Sequence, residues 1–175
     1  MVESFPPGAQ PSAPSAGDFI LTRRPGVLPA LISLAERRRF GPEGHWSHAA
    51  LLIDGNGLLI EAERQGVIAS PLSKYRPAEY VLVATSRLMD PDGCRAAVDY
   101  ARAQLGRAFG YLVLASLGVW LVTGRAVRFQ REDHQICSSL VARALVEGGL
   151  SVGGDPTFTL PAELAIRFGA PTSPP

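Results

Sequence analysis

The sequence predicts an α+β fold in which a small antiparallel sheet packs against the helix that carries Cys137. Three observations predict it. The apolar runs Ala49 to Ile53 and Leu58 to Glu63 flank Asp54-Gly55-Asn56-Gly57, a strong hairpin signal. Gly66 to Ser70 and Glu79 to Thr85 read as a third and a fourth strand. Gln135 to Leu145 places Ile136, Leu140, Val141, Ala144 and Leu145 on one stripe at helical spacing.

Met1 to Ala16 is rich in Pro, Ser, Ala and Gly, and reads as a disordered lead-in. It lacks the basic start and apolar core of a signal peptide, so a cytoplasmic location is expected. The ordered domain is expected over 17–169, with 170–175 as a disordered tail. Phe19 to Thr22 reads as a short buried strand. Val27 to Arg39 follows as a helix, with Leu28, Leu31, Ile32 and Ala35 on one face and a basic end at Arg37, Arg38 and Arg39. That basic end suits the helix dipole; the alternative is contact with an anionic substrate or a phospholipid.

His45 falls in a loop and is expected to face solvent. In the hairpin, a turn at Asp54-Gly55 puts His48 directly opposite Glu61. A turn at Asn56-Gly57 shifts the partners by four and leaves the parity unchanged. Either way His48 and Glu61 share a face, and Glu63 shares it too. Both strands are apolar on both faces, so the hairpin is expected to be covered on both sides. Asp90 and Pro91 cap a helix that reaches Leu105 and contains Cys94.

The stretch 108–124 carries no charge. It reads as a buried or partly exposed helix. The alternatives are an apolar wall for an acyl chain or a membrane-facing surface, with spanning not expected because Gly110, Ser116 and Gly118 interrupt it. Glu147-Gly148-Gly149 ends the cysteine helix.

Composition narrows the function classes. The 175 residues are 46% apolar and 19% charged, which suits one globular domain with a sizeable core. A formal net charge of +1 gives no reason to expect nucleic acid as partner. Two cysteines and three histidines in no paired spacing give neither a disulfide framework nor a structural zinc site. No metal or organic cofactor is expected.

The chemistry centres on Cys137, in the first turn of its predicted helix, where free N–H groups and the dipole favour a thiolate. A packing role is the plain alternative. A cysteine nucleophile needs an imidazole to take and return its proton, and the imidazole needs a polar group on its far nitrogen. His48 and Glu61 can fill those places, with Glu63 as rival orienter. Ser138 or Ser139 can simply satisfy the helix start, and His134 is a further local charge.

Gly17-Asp18-Phe19-Ile20-Leu21, Trp46-Ser47-His48-Ala49-Ala50, Ile60-Glu61-Ala62, Gly66-Val67 with Pro71-Leu72 and Tyr75, and Cys137-Ser138-Ser139-Leu140-Val141 follow one another in a telling order. It resembles that of the YiiX-like group. That group is the circularly permuted branch of the NlpC-type papain-like hydrolases, related to the lecithin:retinol acyltransferase-like proteins. The resemblance implies a permuted papain-like fold with Cys137 as nucleophile, His48 as base and Glu61 as orienter. It also points to Trp46, Ser47, Tyr111 and Ser138 as substrate-binding candidates. Ala108 and Phe109 stand where the family has proline and tyrosine, which opens the hydroxyl's place to Tyr111. The expected reaction is attack on an amide carbonyl of a peptide or isopeptide, through a thioester. Lipid acyl hydrolysis or transfer, or an idle binding module, are the alternatives.

Overall fold

The computed structural model describes residues 1–23, 27–110 and 134–171 together with positions 119 and 123. It is an α+β structure built on a six-stranded antiparallel sheet. In chain order the strands are β1 (Val2–Phe5), β2 (Phe19–Thr22), β3 (His48–Leu52), β4 (Leu58–Glu63), β5 (Gly66–Pro71) and β6 (Tyr80–Val83). Their order across the sheet is β1-β6-β2-β3-β4-β5. Four helices accompany them among the described residues: α1 (Val27–Phe40), α2 (Pro91–Ala103), α3 (Cys137–Glu147) and α4 (Pro161–Phe168). A short parallel pair, β7 (Ala108–Phe109) and β8 (His134–Gln135), leads into α3.

Alternation along the strands sorts side chains into two apolar layers. Phe19, Leu21, Ala49, Leu51, Ile60 and Val81 face the helical side, where they meet Leu140, Val141 and Leu145 of α3. Ile20, Ala50, Leu52, Leu59 and Leu82 face the other way, against Leu72 and Tyr75 of the 3-10 turn Leu72–Tyr75. The hairpin is therefore covered on both sides, as its sequence requires.

The lead-in departs from its expected disorder. Val2–Phe5 pairs with β6, Phe5 stacks on Tyr80 at 5.2 Å, and Tyr80 donates its hydroxyl to Ala9 O at 3.2 Å. Without β1 the edge of β6 would be open, and the two apolar residues Val2 and Phe5 supply the contacts that composition alone concealed. The tail is corrected in part too: Ala170 is buried, and Trp46 Nε1 donates to Pro171 O at 3.0 Å.

The turn between β3 and β4 spans Asp54 to Gly57, longer than either two-residue turn considered. Ile53 donates to Leu58 O at 2.9 Å, and Asp54 Oδ1 accepts from the N–H groups of Asn56 and Leu58. Leu51 pairs with Ile60 and Leu52 with Leu59, so the parity that joins His48 to Glu61 is preserved. Asp90 caps α2 by accepting from Gly93 N–H at 2.7 Å, as expected.

Gly66 is where the chain before β7 docks on β5. Its φ is +122°, and a Cβ there would meet Arg107 O at 2.6 Å, while Val67 N–H donates to that same oxygen at 2.9 Å. Gly66→Ala is expected to destabilise by roughly 1–3 kcal/mol, read as a lower denaturation midpoint. An unchanged midpoint would mean that this docking is loose.

The apolar face assigned to Leu28, Leu31, Ile32 and Ala35 lies outside the described side chains. Most of the uncharged stretch 108–124 lies outside the described residues. No helix among the described residues is long and apolar enough to cross a membrane.

Candidate active site

Cys137 is the first residue of α3. The helix start is closed by Ser139, whose Oγ accepts from Ile136 N–H at 3.1 Å and donates to Ile136 O at 3.0 Å. Ser138 turns the other way and donates its hydroxyl to Thr159 O at 2.7 Å, tying α3 to the segment before α4. The serines thus satisfy the local backbone and leave the dipole end of the helix to Cys137, a partly buried residue.

His48 opens β3 and lies on the sheet face opposite α3. The ladder between β3 and β4 runs only through Leu51 and Leu52, so His48 sits at an unzipped end of the hairpin. There its ring meets partners from both sides. Nε2 lies 2.7 Å from Glu61 Oε2, and both side chains are buried. An ionised carboxylate only accepts, so Nε2 carries a proton and Nδ1 is left for Cys137, whose thiol is hydrogen-bonded to the ring. Backbone N–H groups of Ala49 and Ser138 also donate toward the sulfur.

Glu61 is fully buried and held by more than the histidine. Lys74 Nζ donates to Oε1 at 2.6 Å, and the hydroxyls of Tyr75 and Ser70 donate to the carboxylate. The Tyr75 ring also stacks on His48 with centroids 6.0 Å apart. Glu63, the rival orienter, pairs instead with Lys74. His48, Glu61 and Glu63 are close enough together to hold a metal ion, but the Lys74 ammonium already bridges both carboxylates and Nε2 is committed to Glu61. That donor set suits orientation of an imidazole better than coordination.

The electrostatics agree with an activated pair. Burial alone would depress His48, but the Cys137 thiolate and the Glu61 carboxylate outweigh it and raise the imidazole to about 9. Burial alone would raise Glu61, yet His48, Lys74 and Ser70 hold it far below the usual carboxylate range. For Cys137 burial again works against the charge, and His48 with the two backbone donors lowers the thiol below its ordinary value. Cys94 is the contrast. Burial and the nearby Asp18 and Asp90 carboxylates push it up, and it points at Ser86 O, 3.7 Å away.

Compared with models of known protein families and with curated proteins, the chain matches none.

Among the predicted site residues, Cys137, His48 and Glu61 are brought together. Trp46 and Ser138 are fully buried and Ser47 nearly so. Trp46 fills the helix-side core, and Ser47 N–H donates to Thr22 O at 3.1 Å. The side chains of Trp46 and Ser138 expose no surface and that of Ser47 little, so in this structure all three serve packing and the local backbone. Tyr111 lies outside the described residues, as does the side chain of His134. Phe109 packs beside Ile136 and Leu160, next to the cysteine helix.

His45 is corrected. It is buried, with Nε2 2.5 Å from Glu79 Oε1 and Nδ1 3.2 Å from Arg37, because the 3-10 turn Gly41–His45 folds it under α1. Sequence reasoning did not assign roles to Lys74 or Ser70. A strand exit bearing a lysine gives no local sign that its ammonium returns to the previous strand.

Proposed function

We propose that this chain is a cysteine-dependent hydrolase that cleaves an amide bond, peptide or isopeptide, through a thioester on Cys137. The observation that carries the reading is the continuous hydrogen-bonded line Cys137–His48–Glu61, with Cys137 partly buried and the carboxylate wholly buried. The order of parts supports the permuted papain-like, YiiX-like assignment: the histidine and carboxylate strands precede the cysteine helix, and an antiparallel sheet packs against it.

In this mechanism the Cys137 thiolate attacks the carbonyl carbon to form a C–S bond, the C=O π electrons move onto oxygen, and they return to re-form the carbonyl as the amine leaves. The C–N bond breaks as imidazolium His48 gives its proton to the departing amine. Neutral His48 next takes a proton from water, whose oxygen attacks the thioester. The carbon–sulfur bond breaks, the acid product leaves, and thiolate and imidazolium are restored. Glu61 keeps the imidazole oriented and favours its charged form.

The test is intact-mass analysis after acid quench, with a panel of peptide, isopeptide and acyl-ester substrates. An acyl adduct on Cys137 that forms with amides and is absent in Cys137→Ala is expected. Turnover unchanged in Cys137→Ala would end the proposal, and adducts with esters alone would move the substrate to the lipid class.

A further inference from the structure

A buried carboxyl that this mechanism does not use lies behind the nucleophile. Glu36 stands on α1 one turn before Phe40, and Phe40 packs against Ile136 and Leu160, the residues that cap α3 and α4. Residues four apart share a helix face, so Glu36 is aimed at the same two helix starts. It is 0% exposed, and among the described residues neither carboxylate oxygen has a side-chain partner, the Ala162 N–H being the donor directed toward it. A buried charge without an opposite charge beside it is costly, and the cheaper state is the neutral acid.

Its charged surroundings reinforce this. From α3 it faces Cys137, and from α4 it faces Glu163. His45, in the adjoining 3-10 turn, is engaged with Glu79 and Arg37. Arg39 on its own helix acts on Glu163, and His48 acts on Cys137. Ala162 N–H favours an ionised Glu36, but burial and the two like charges prevail and hold its carboxyl well above the usual range.

We propose that Glu36 is a buried carboxyl behind the nucleophile whose proton is coupled to the charge on Cys137, because a carboxylate and a thiolate at these positions disfavour one another. The proposal rests on the thiolate reading of Cys137. Coupling is reciprocal: while the sulfur is charged Glu36 keeps its proton, and when the sulfur is acylated that proton is bound less tightly. Glu36 thereby reports and responds to the state of the nucleophile without touching substrate.

The experiment is a pH titration of carboxyl carbons in protein labelled with carbon-13 at the glutamate side chains. The Glu36 signal is assigned by its absence in Glu36→Gln. Wild type is compared with Cys137→Ser and with wild type blocked by iodoacetamide, which leaves a neutral sulfur and needs no variant to fold. The expected result is a Glu36 midpoint above the ordinary carboxylate range. It should fall by at least about half a pH unit, roughly threefold in proton affinity, when the thiolate charge is removed. A midpoint in the ordinary range, or one indifferent to both treatments, would overturn the coupling. The two readings fail separately: fast Cys137 labelling with an indifferent Glu36 sinks only the coupling, whereas slow labelling sinks the thiolate on which both depend.

Discussion

Glu61→Ala is expected to lower the free energy of unfolding by about 3–5 kcal/mol, more than a substitution of any exposed residue in this chain. The carboxylate is fully buried and accepts from His48, Lys74, Tyr75 and Ser70. Its removal leaves His48 and Tyr75, both buried, without their shared acceptor. Lys74 is partly exposed and recovers solvent, so its share of the cost is small.

The pH dependence should change with it. Glu61 is held below its unfolded value, so its contribution is present above the ordinary carboxylate range near 4.5 and is lost as pH falls. His48 is raised to about 9, so its contribution is full below about 6.5 and is lost as pH rises through about 9. Denaturation midpoints measured across pH should show both limbs in the wild type and a flattened acid limb in Glu61→Ala. A loss under about 1 kcal/mol, with the acid limb intact, would mean that this carboxylate is not the hub of the network.

His48→Ala is expected to reduce turnover by about 10²–10⁴-fold, the range for loss of a general acid and base. It removes the proton donor to the leaving amine and the base for water, and with them the cation that favours the thiolate. Glu61→Gln should cost less, because the base survives and a carbonyl oxygen can still accept from Nε2. Steady-state rates of the two variants rank them; an equal or larger loss for Glu61→Gln would give Glu61 a role beyond orientation.

Much of this site could be read from the chain because side-chain parity in a hairpin survives changes of turn length. The turn covers four residues where two were considered, and His48 still shares its face with Glu61. Helical spacing placed Cys137 at a helix start because the apolar stripe behind it is uninterrupted. What escaped depends on contacts between distant segments. Val2 and Phe5 are ordered by the edge of β6, some eighty residues away, which composition does not register. His45 is buried by Glu79 and by α1 folding over it. Trp46 stands two residues before His48 in sequence, but it lies ahead of β3, at the end of the 3-10 turn Gly41–His45, and packs into the helix-side core. Glu36 precedes the basic run Arg37 to Arg39 with nothing local to mark it as buried, and its burial follows from how α1 meets the starts of α3 and α4.

A Cys137 thiolate paired with His48 is tested most directly by iodoacetamide labelling followed by peptide mass as a function of pH. Cys137 should react faster than Cys94 and stay reactive well below the free-thiol range near about 8.5, and His48→Ala should abolish that advantage. Cys137 labelling no faster than Cys94, or labelling at mildly acidic pH that is unchanged in His48→Ala, would contradict it.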